Sequence, residues 1–237
     1  MVFGKRKAQE EERPPVPAVG WRDVRRFTIG RTERSGVHGE RRQLGRLAVR
    51  VPRQARDVRT YAPCAYFRTD SPGNPVLEPT LYEDEAAQRV LCAVDGPMDV
   101  GKEVHRSVLD GEGRVIGTIR RIPSSNRVVH HTWRIDQPDC PEIAGRSQWS
   151  LANNSPRGLA LRGLESTLNM VLELAADGDN RTAEGRTLEW KTAGGELVMV
   201  SKGIPQFDSS IGISIKVGWL DRRLAFAVAM VPDFPEL

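Results

Sequence analysis

Adjacent histidines, His130 and His131, invite a reading as a metal pair. Neighbours on a strand point to opposite faces, whereas a metal needs its ligands on one side. The expectation is therefore His131 beside Trp133 toward a core, with His130 exposed. His38 and His105 stand alone in the sequence. Cys64, Cys92 and Cys140 could act as nucleophiles only if the fold brought a histidine near, and nothing in the adjacent sequence would activate a thiol. Gly111, Gly113 and Gly117 hint at a dinucleotide loop, but that fingerprint needs a helix after it, and Val115-Ile116-Gly117-Thr118-Ile119 is strand-like. Asp136, Asp139 and Glu142 could form a general acid and base; Pro138 and Pro141 among them make a loop the plainer reading. Arg114, Arg120, Arg121 and Arg127 cluster about one hairpin. Arginine grips phosphate as a planar fork, so part of this set is the candidate ligand-binding group, for a lipid phosphate or a nucleic-acid backbone. Arg120 and Arg121 face opposite ways on a strand, and ordinary exposed charge is the competing reading. No catalytic constellation, cofactor site or metal site emerges.

The elements that must carry these residues are set by composition and pattern. The chain has 237 residues, of which 39% are hydrophobic, and its mean hydropathy is −0.44. That suits one globular domain with a tail, or two small domains. The first residues are charged and proline-bearing, with no secretory pattern, and no apolar run approaches the ~20 residues of a membrane span. An odd, sparse set of cysteines without a Cys-x-x-Cys pair points to reduced thiols and a cytoplasmic setting. The net charge of +4 is uneven: residues 1–80 hold 17 Lys+Arg against 9 Asp+Glu, or +8, and residues 81–237 hold 18 against 22, or −4. Residues 1–20 read as a disordered, charged and proline-rich arm. Residues 21–80 read as a basic, weakly structured segment from which first strands can come, around Phe27–Ile29 and Leu47–Val51. Residues 81–237 read as the main domain.

Within that domain the pattern is one of short strands. Candidates are Arg89 to Val94, Val104 to Leu109, Val115 to Arg121, Arg127 to Ile135, Glu142 to Trp149, Thr187 to Thr192 and Leu197 to Ser201. Asp110-Gly111-Glu112-Gly113 and Ala193-Gly194-Gly195-Glu196 read as hairpin turns, because glycine supplies the positive φ such turns need. Ile211 to Trp219 alternates apolar with small or polar residues and is the clearest half-buried strand. Ser155 to Ala176 switches to helical spacing and predicts an amphipathic helix. Leu220 to Val231 is apolar on every side after Asp221-Arg222-Arg223. Its alanines favour helix over strand. Such a helix would be about 18 Å long, too short for a bilayer core of about 30 Å. Burial inside protein is what remains for it, and a closed sheet supplies the surround.

The hairpin VLDGEGRVIGTIRR, the tryptophan strand HHTWRI and the terminal WLDRRLAFAVAMV together resemble the tubby C-terminal-like superfamily, particularly its LURP-one-related and scramblase-like bacterial members. The resemblance covers roughly Leu81 to Val231. It implies a mainly β (α+β) fold: a closed antiparallel β-barrel of about twelve strands around a buried C-terminal hydrophobic helix whose central residues are Leu224, Phe226, Val228 and Met230, with one extra amphipathic helix. Scramblases carry an acidic, calcium-binding stretch before the terminal helix; here Phe207 to Lys216 has only Asp208, too few oxygens for calcium. Tubby proteins bind phosphoinositide headgroups through basic side chains on the barrel. The expected function is thus a non-enzymatic barrel, cytoplasmic or peripheral at the inner membrane face, that binds an anionic phospholipid or membrane surface. The alternatives are a protein-interaction module with a protein partner held by the N-terminal arm, and a binder of a nucleic-acid phosphate backbone.

Overall fold

A computed structural model describes residues 14–35, 42–55, 58–71, 74–75, 80–122, 132–147, 187–203 and 211–231. The strands are β1 (Arg26–Arg34), β2 (Gln43–Ala55), β3 (Val58–Phe67), β4 (Thr69–Ser71), β5 (Asn74–Pro75), β6 (Thr80–Tyr82), β7 (Val90–Val94), β8 (Met98–Val100), β9 (Glu103–Asp110), β10 (Val115–Ile122), β11 (Thr132–Asp136), β12 (Ile143–Ser147), β13 (Thr187–Thr192), β14 (Leu197–Gly203) and β15 (Ile211–Ile215). One helix, α1 (Arg222–Met230), comes after them. The expected amphipathic helix over Ser155 to Ala176 lies outside the described residues.

Twelve of these strands close into an antiparallel β-barrel. Its order is β1-β2-β3-β6-β7-β9-β10-β11-β12-β13-β14-β15, and β15 returns to β1 through Arg26↔Ser214, Phe27↔Ile213 and Thr28↔Gly212. Strand β8 pairs with β9 beyond the end of β7, and β4 with β5 forms a separate small hairpin. Every wall strand is antiparallel to its neighbours, so alternate residues face one side. Phe27, Val49, Ala65, Ile119, Trp133, Ile135, Ile143, Trp190 and Ile213 are all nearly or fully buried. Trp133, Gly145 and Trp190 sit level across β11, β12 and β13. A Cβ on Gly145 would lie 2.9 Å from the Trp190 ring, so the glycine makes room for the indole. The Trp190 N–H donates to Ser201 Oγ at 3.1 Å, which satisfies the polar end of a fully buried side chain.

The segment from residue 21 to 80 supplies first strands over Phe27–Ile29 and Leu47–Val51, and more besides: it holds β1, β2 and β3, and the ring cannot close without them. Its last long strand, β3, also pairs directly with β6, through Tyr66↔Tyr82 and Phe67↔Leu81. Beside Phe27 and Val49, many buried residues of this segment are small or polar, among them Ala48, Ala62, Cys64, Ala65 and Arg50, so apolar pattern alone understates it. The Arg50 guanidinium is 1% exposed. It donates to the carbonyls of Gly30 (2.8 Å), Tyr61 (3.0 Å) and Arg46 (2.6 Å) and to Glu33 Oε1 (3.4 Å). One side chain thereby ties β1, β2 and β3 together. A Cβ at Gly45 would lie 2.0 Å from Glu33 Oε1, so a glycine is required for the carboxylate to reach its partner. Burial lowers the Arg50 pKa, and the Glu33 carboxylate opposes that shift.

The Leu220 to Val231 segment holds the helix α1 (Arg222–Met230), as its alanines predict. Asp221 caps it by accepting from the Arg223 amide at 2.9 Å. Leu224, Ala225, Phe226, Ala227 and Val228 are 0% exposed, whereas Met230 is half-buried. The helix contacts β7, β9, β10 and β15. The Phe226 ring meets Phe27 of β1 edge-on at 4.8 Å. Leu224 packs on β10 where Gly117 leaves space; a Cβ there would come within 2.7 Å of Leu224 Cδ2 and 2.6 Å of the Asp136 carbonyl oxygen. That is the role of the glycine whose spacing hinted at a nucleotide loop. Strand β15 ends at Ile215 rather than running on to Trp219, because Lys216 to Leu220 must turn the chain into the helix.

Phe226→Ala is expected to destabilise the fold by about 3–5 kcal/mol, the usual cost of emptying a buried aromatic site. Gly117→Ala is expected to cost about 1–3 kcal/mol by overpacking, since one of its close neighbours is backbone that cannot rotate away. Urea unfolding followed by tryptophan fluorescence checks both. Arg50→Met leaves Glu33 buried without its cation and is expected to lower stability by about 3–5 kcal/mol; adding Glu33→Gln should recover part of that loss in the same assay.

Candidate functional site

The hairpin that suggested an arginine cluster joins β9 to β10. Gly113 has φ +80°, as the turn requires. Asp110 organises it from a buried position. Its Oδ1 accepts from the amides of Glu112 (3.0 Å) and Arg114 (2.9 Å), and its Oδ2 accepts from Arg114 Nε at 2.9 Å. The Arg114 amide, then its guanidinium and the Glu112 amide, hold the Asp110 carboxyl down to about 2. Arg114 is exposed but paired with Asp110 and Glu112.

Arg120 lies farther along β10, level with His105 of β9 and Arg134 of β11. Its guanidinium bonds both oxygens of Asp136, one of them at 3.1 Å, together with Glu103 Oε2 at 3.3 Å and Glu142 Oε2. Arg134 holds the other Glu142 oxygen. His105 Nε2 lies 2.9 Å from Glu103 Oε2. Asp136 above all, with Glu103 and Glu142, pushes the Arg120 pKa well above the usual guanidinium range. The His105 ring, then Arg120, lowers that of Glu103. The carboxylates Asp136 and Glu142 therefore meet on one guanidinium, while Asp139 occupies a positive-φ turn position (φ +60°) apart from them. Three carboxylates on Arg120, one of them shared with Arg134, make this an electrostatic clamp across β9, β10, β11 and the lead-in to β12. A phosphate approaching Arg120 would meet surplus negative charge.

Arg121 is level with Val104 and with the buried Trp133, on the opposite face of β10 from Arg120. Arg127, His130 and His131 lie outside the described residues. Trp133 and Ile135 are buried and Arg134 is partly exposed, the alternation predicted for that strand. Cys64 and Cys92 are buried, and burial pushes each thiol up to about 12, far from the thiolate a nucleophile needs. The partly buried Cys140 accepts a hydrogen bond from Gln137 at 3.0 Å. No group of three or more His, Cys, Asp or Glu among the described residues is placed to hold a metal.

A second charged cluster forms where the helix begins, and it is assembled from distant parts of the chain. Gln137, in the β11–β12 turn, accepts from the Asp221 amide at 2.9 Å and donates to the Trp219 carbonyl at 3.1 Å. Arg223 pairs with its neighbour Asp221 at 2.7 Å and lies over the Trp21 ring, 5.6 Å from its centroid. The Trp21 indole donates to Glu83 at 3.1 Å. The first strand starts at this same end. Arg22, Arg25 and Arg26 stand just before and at the first residue of β1, next to Trp21. All three of these arginines are exposed. Sequence spacing could not reveal the cluster, since its members come from both ends of the chain; the basic excess of residues 1–80 was the available signal.

Replacing Asp110 by Asn tests the turn. The depressed carboxyl contributes stability that is fully present above the unfolded value, near pH 4, and is lost as pH falls through about 2. The stability gap between wild type and Asp110→Asn should be constant above about pH 4 and close as pH approaches 2, read from chemical unfolding across that range.

No protein family, no curated protein and no solved structure matches this chain.

Proposed function

We propose that the chain is a non-catalytic, tubby-like barrel that docks on an anionic phospholipid surface through the arginines of its first strands. The closed ring of twelve antiparallel strands and the apolar terminal helix agree with the architecture that the sequence resemblance implies. In this reading α1 fills the interior of the ring and makes it rigid, with Leu224, Phe226 and Val228 as the core residues and Met230 toward its far end. No helix among the described residues is long and apolar enough to cross a membrane, so contact with lipid would be made from the surface.

One observation carries the proposal. The described residues from 14 to 71 are rich in arginine, and their acids are Asp23, Glu33 and Asp70. Glu33 is buried against Arg50 and lends nothing to the surface. Arg22, Arg25 and Arg26 are exposed and lie together where the first strand begins. A cluster of this kind attracts anionic headgroups, each basic residue near such a surface contributing about 1 kcal/mol. The hairpin arginines serve this purpose less well, because carboxylates already engage Arg114 and Arg120. Docking would place the protein at the cytoplasmic face of a membrane.

Co-sedimentation with vesicles tests the reading. The chain should pellet with phosphatidylcholine vesicles containing phosphatidylserine and stay in the supernatant with phosphatidylcholine alone, and added salt should weaken the binding. Changing Arg22 and Arg26 together to Glu should weaken it by about tenfold or more. Equal and negligible pelleting with both vesicle types would overturn the proposal.

A further inference from the structure

Buried arginines normally face a carboxylate. Arg50 has Glu33, and the partly buried Arg134 has Glu142. Arg222, in the first turn of α1, is 7% exposed and has no carboxylate partner among the described residues. Its Nη1 donates to the Leu220 carbonyl at 2.6 Å. Its Nε is buried and makes no hydrogen bond, and the hydrogen bond of Nη1 is the one its guanidinium makes among the described residues. The adjacent carboxylate, Asp221, is held by the Arg223 amide and guanidinium. Nε–H and Nη2–H share one edge of the guanidinium, and that edge is the planar fork that grips two oxygens of a carboxylate or phosphate.

The surroundings are suited to an anion. A buried donor left without a partner costs free energy and calls for a reason. Burial lowers the Arg222 pKa, and the like charge of Arg25 lowers it further; Asp221 and Asp23 oppose them less. The exposed Arg25 is joined to the end of β15 through its carbonyl, which accepts from the Ile215 amide at 2.7 Å. It reaches the helix start from the other end of the chain. The N-terminus of the nine-residue helix adds a field of the same sign.

We infer that the Nε–Nη2 edge of Arg222, with Arg25 beside it and the start of α1 behind it, binds a phosphate-type oxyanion, either free or as the phosphomonoester of a lipid headgroup. This goes beyond adsorption to a charged surface: it is one stereospecific fork, which lysine cannot reproduce although it keeps the charge.

The test uses the full chain and inorganic phosphate, titrated at constant ionic strength against chloride. Thermal unfolding and calorimetry should show saturable binding that raises Tm. Arg222→Lys should weaken phosphate binding by about tenfold or more through loss of the fork, and Arg25→Met, at an exposed position, should weaken it without unfolding the chain. A Tm rise of the same size with chloride, or phosphate binding unchanged in both variants, would overturn the inference. Vesicles containing phosphatidic acid, compared with phosphatidylserine vesicles of equal charge, identify the source. Preference for phosphatidic acid that Arg222→Lys removes marks a lipid phosphate, and a phosphate effect on Tm without that preference marks a free one. The Arg22 and Arg26 charge reversal separates the two proposals, since it should weaken vesicle binding while phosphate still raises Tm.

Discussion

The pairing of the first wall strand with the last is the constraint on which this molecule depends. Every other neighbour in the ring comes next among the wall strands along the chain; only β1 and β15 must find each other across nearly its whole length. Without that ladder the sheet would keep two long edges, each a row of unpaired amides and carbonyls open to association. With it, the described wall strands follow one another around a closed ring. The Arg25 carbonyl and the Ile215 amide extend the seam by one further bond. Closure also sets the helix, because only a short turn separates Ile215 from Asp221. Seating β15 brings Phe226 to Phe27 and Leu224 to Gly117, on different strands of the ring. So many contacts between distant residues imply slow, late formation of the complete core.

Three arginines show how surroundings decide what one residue type does. Arg50 is buried and satisfied by backbone carbonyls and Glu33, and it knits three strands. Arg120 is partly exposed and surrounded by carboxylates, and it clamps the wall at the β9–β10 hairpin. Arg222 is buried like Arg50 but lacks the carboxylate. Charge counts alone would treat them alike. Their partners, supplied by other strands and turns, separate structural cations from those able to meet a ligand.

Much of the wall was legible in the chain. Alternation marked Ile211 onward as a strand, and Asp110-Gly111-Glu112-Gly113 marked a hairpin because both signals act within a few residues. The all-apolar, alanine-spaced tail read as a helix for the same reason: propensity is local. The opposite orientations of Arg120 and Arg121 came from the two-residue period of a strand. Residues 21 to 80 were harder to read, because alanine, cysteine and a paired arginine occupy positions where valine or leucine would mark a buried strand. The end of β15 was overrun because Val217 and Trp219 continue the alternation through a turn that only the helix geometry demands.

The residues themselves determined the element types, the hairpin turns, the helix and the basic excess near the N-terminus, since these rest on backbone preference, side-chain period and composition. A closed sheet was already expected from the resemblance and the buried tail; tertiary structure alone decided which strands meet at the seam, that Glu33 meets Arg50, that Asp136 and Glu142 meet Arg120, and that Arg222 and Arg25 stand together near the start of the helix. Each of those meetings joins residues whose separation along the chain carries no periodic signal. Only the packing of strands into a ring brings them within a few ångströms, where hydrogen bonds and charge act.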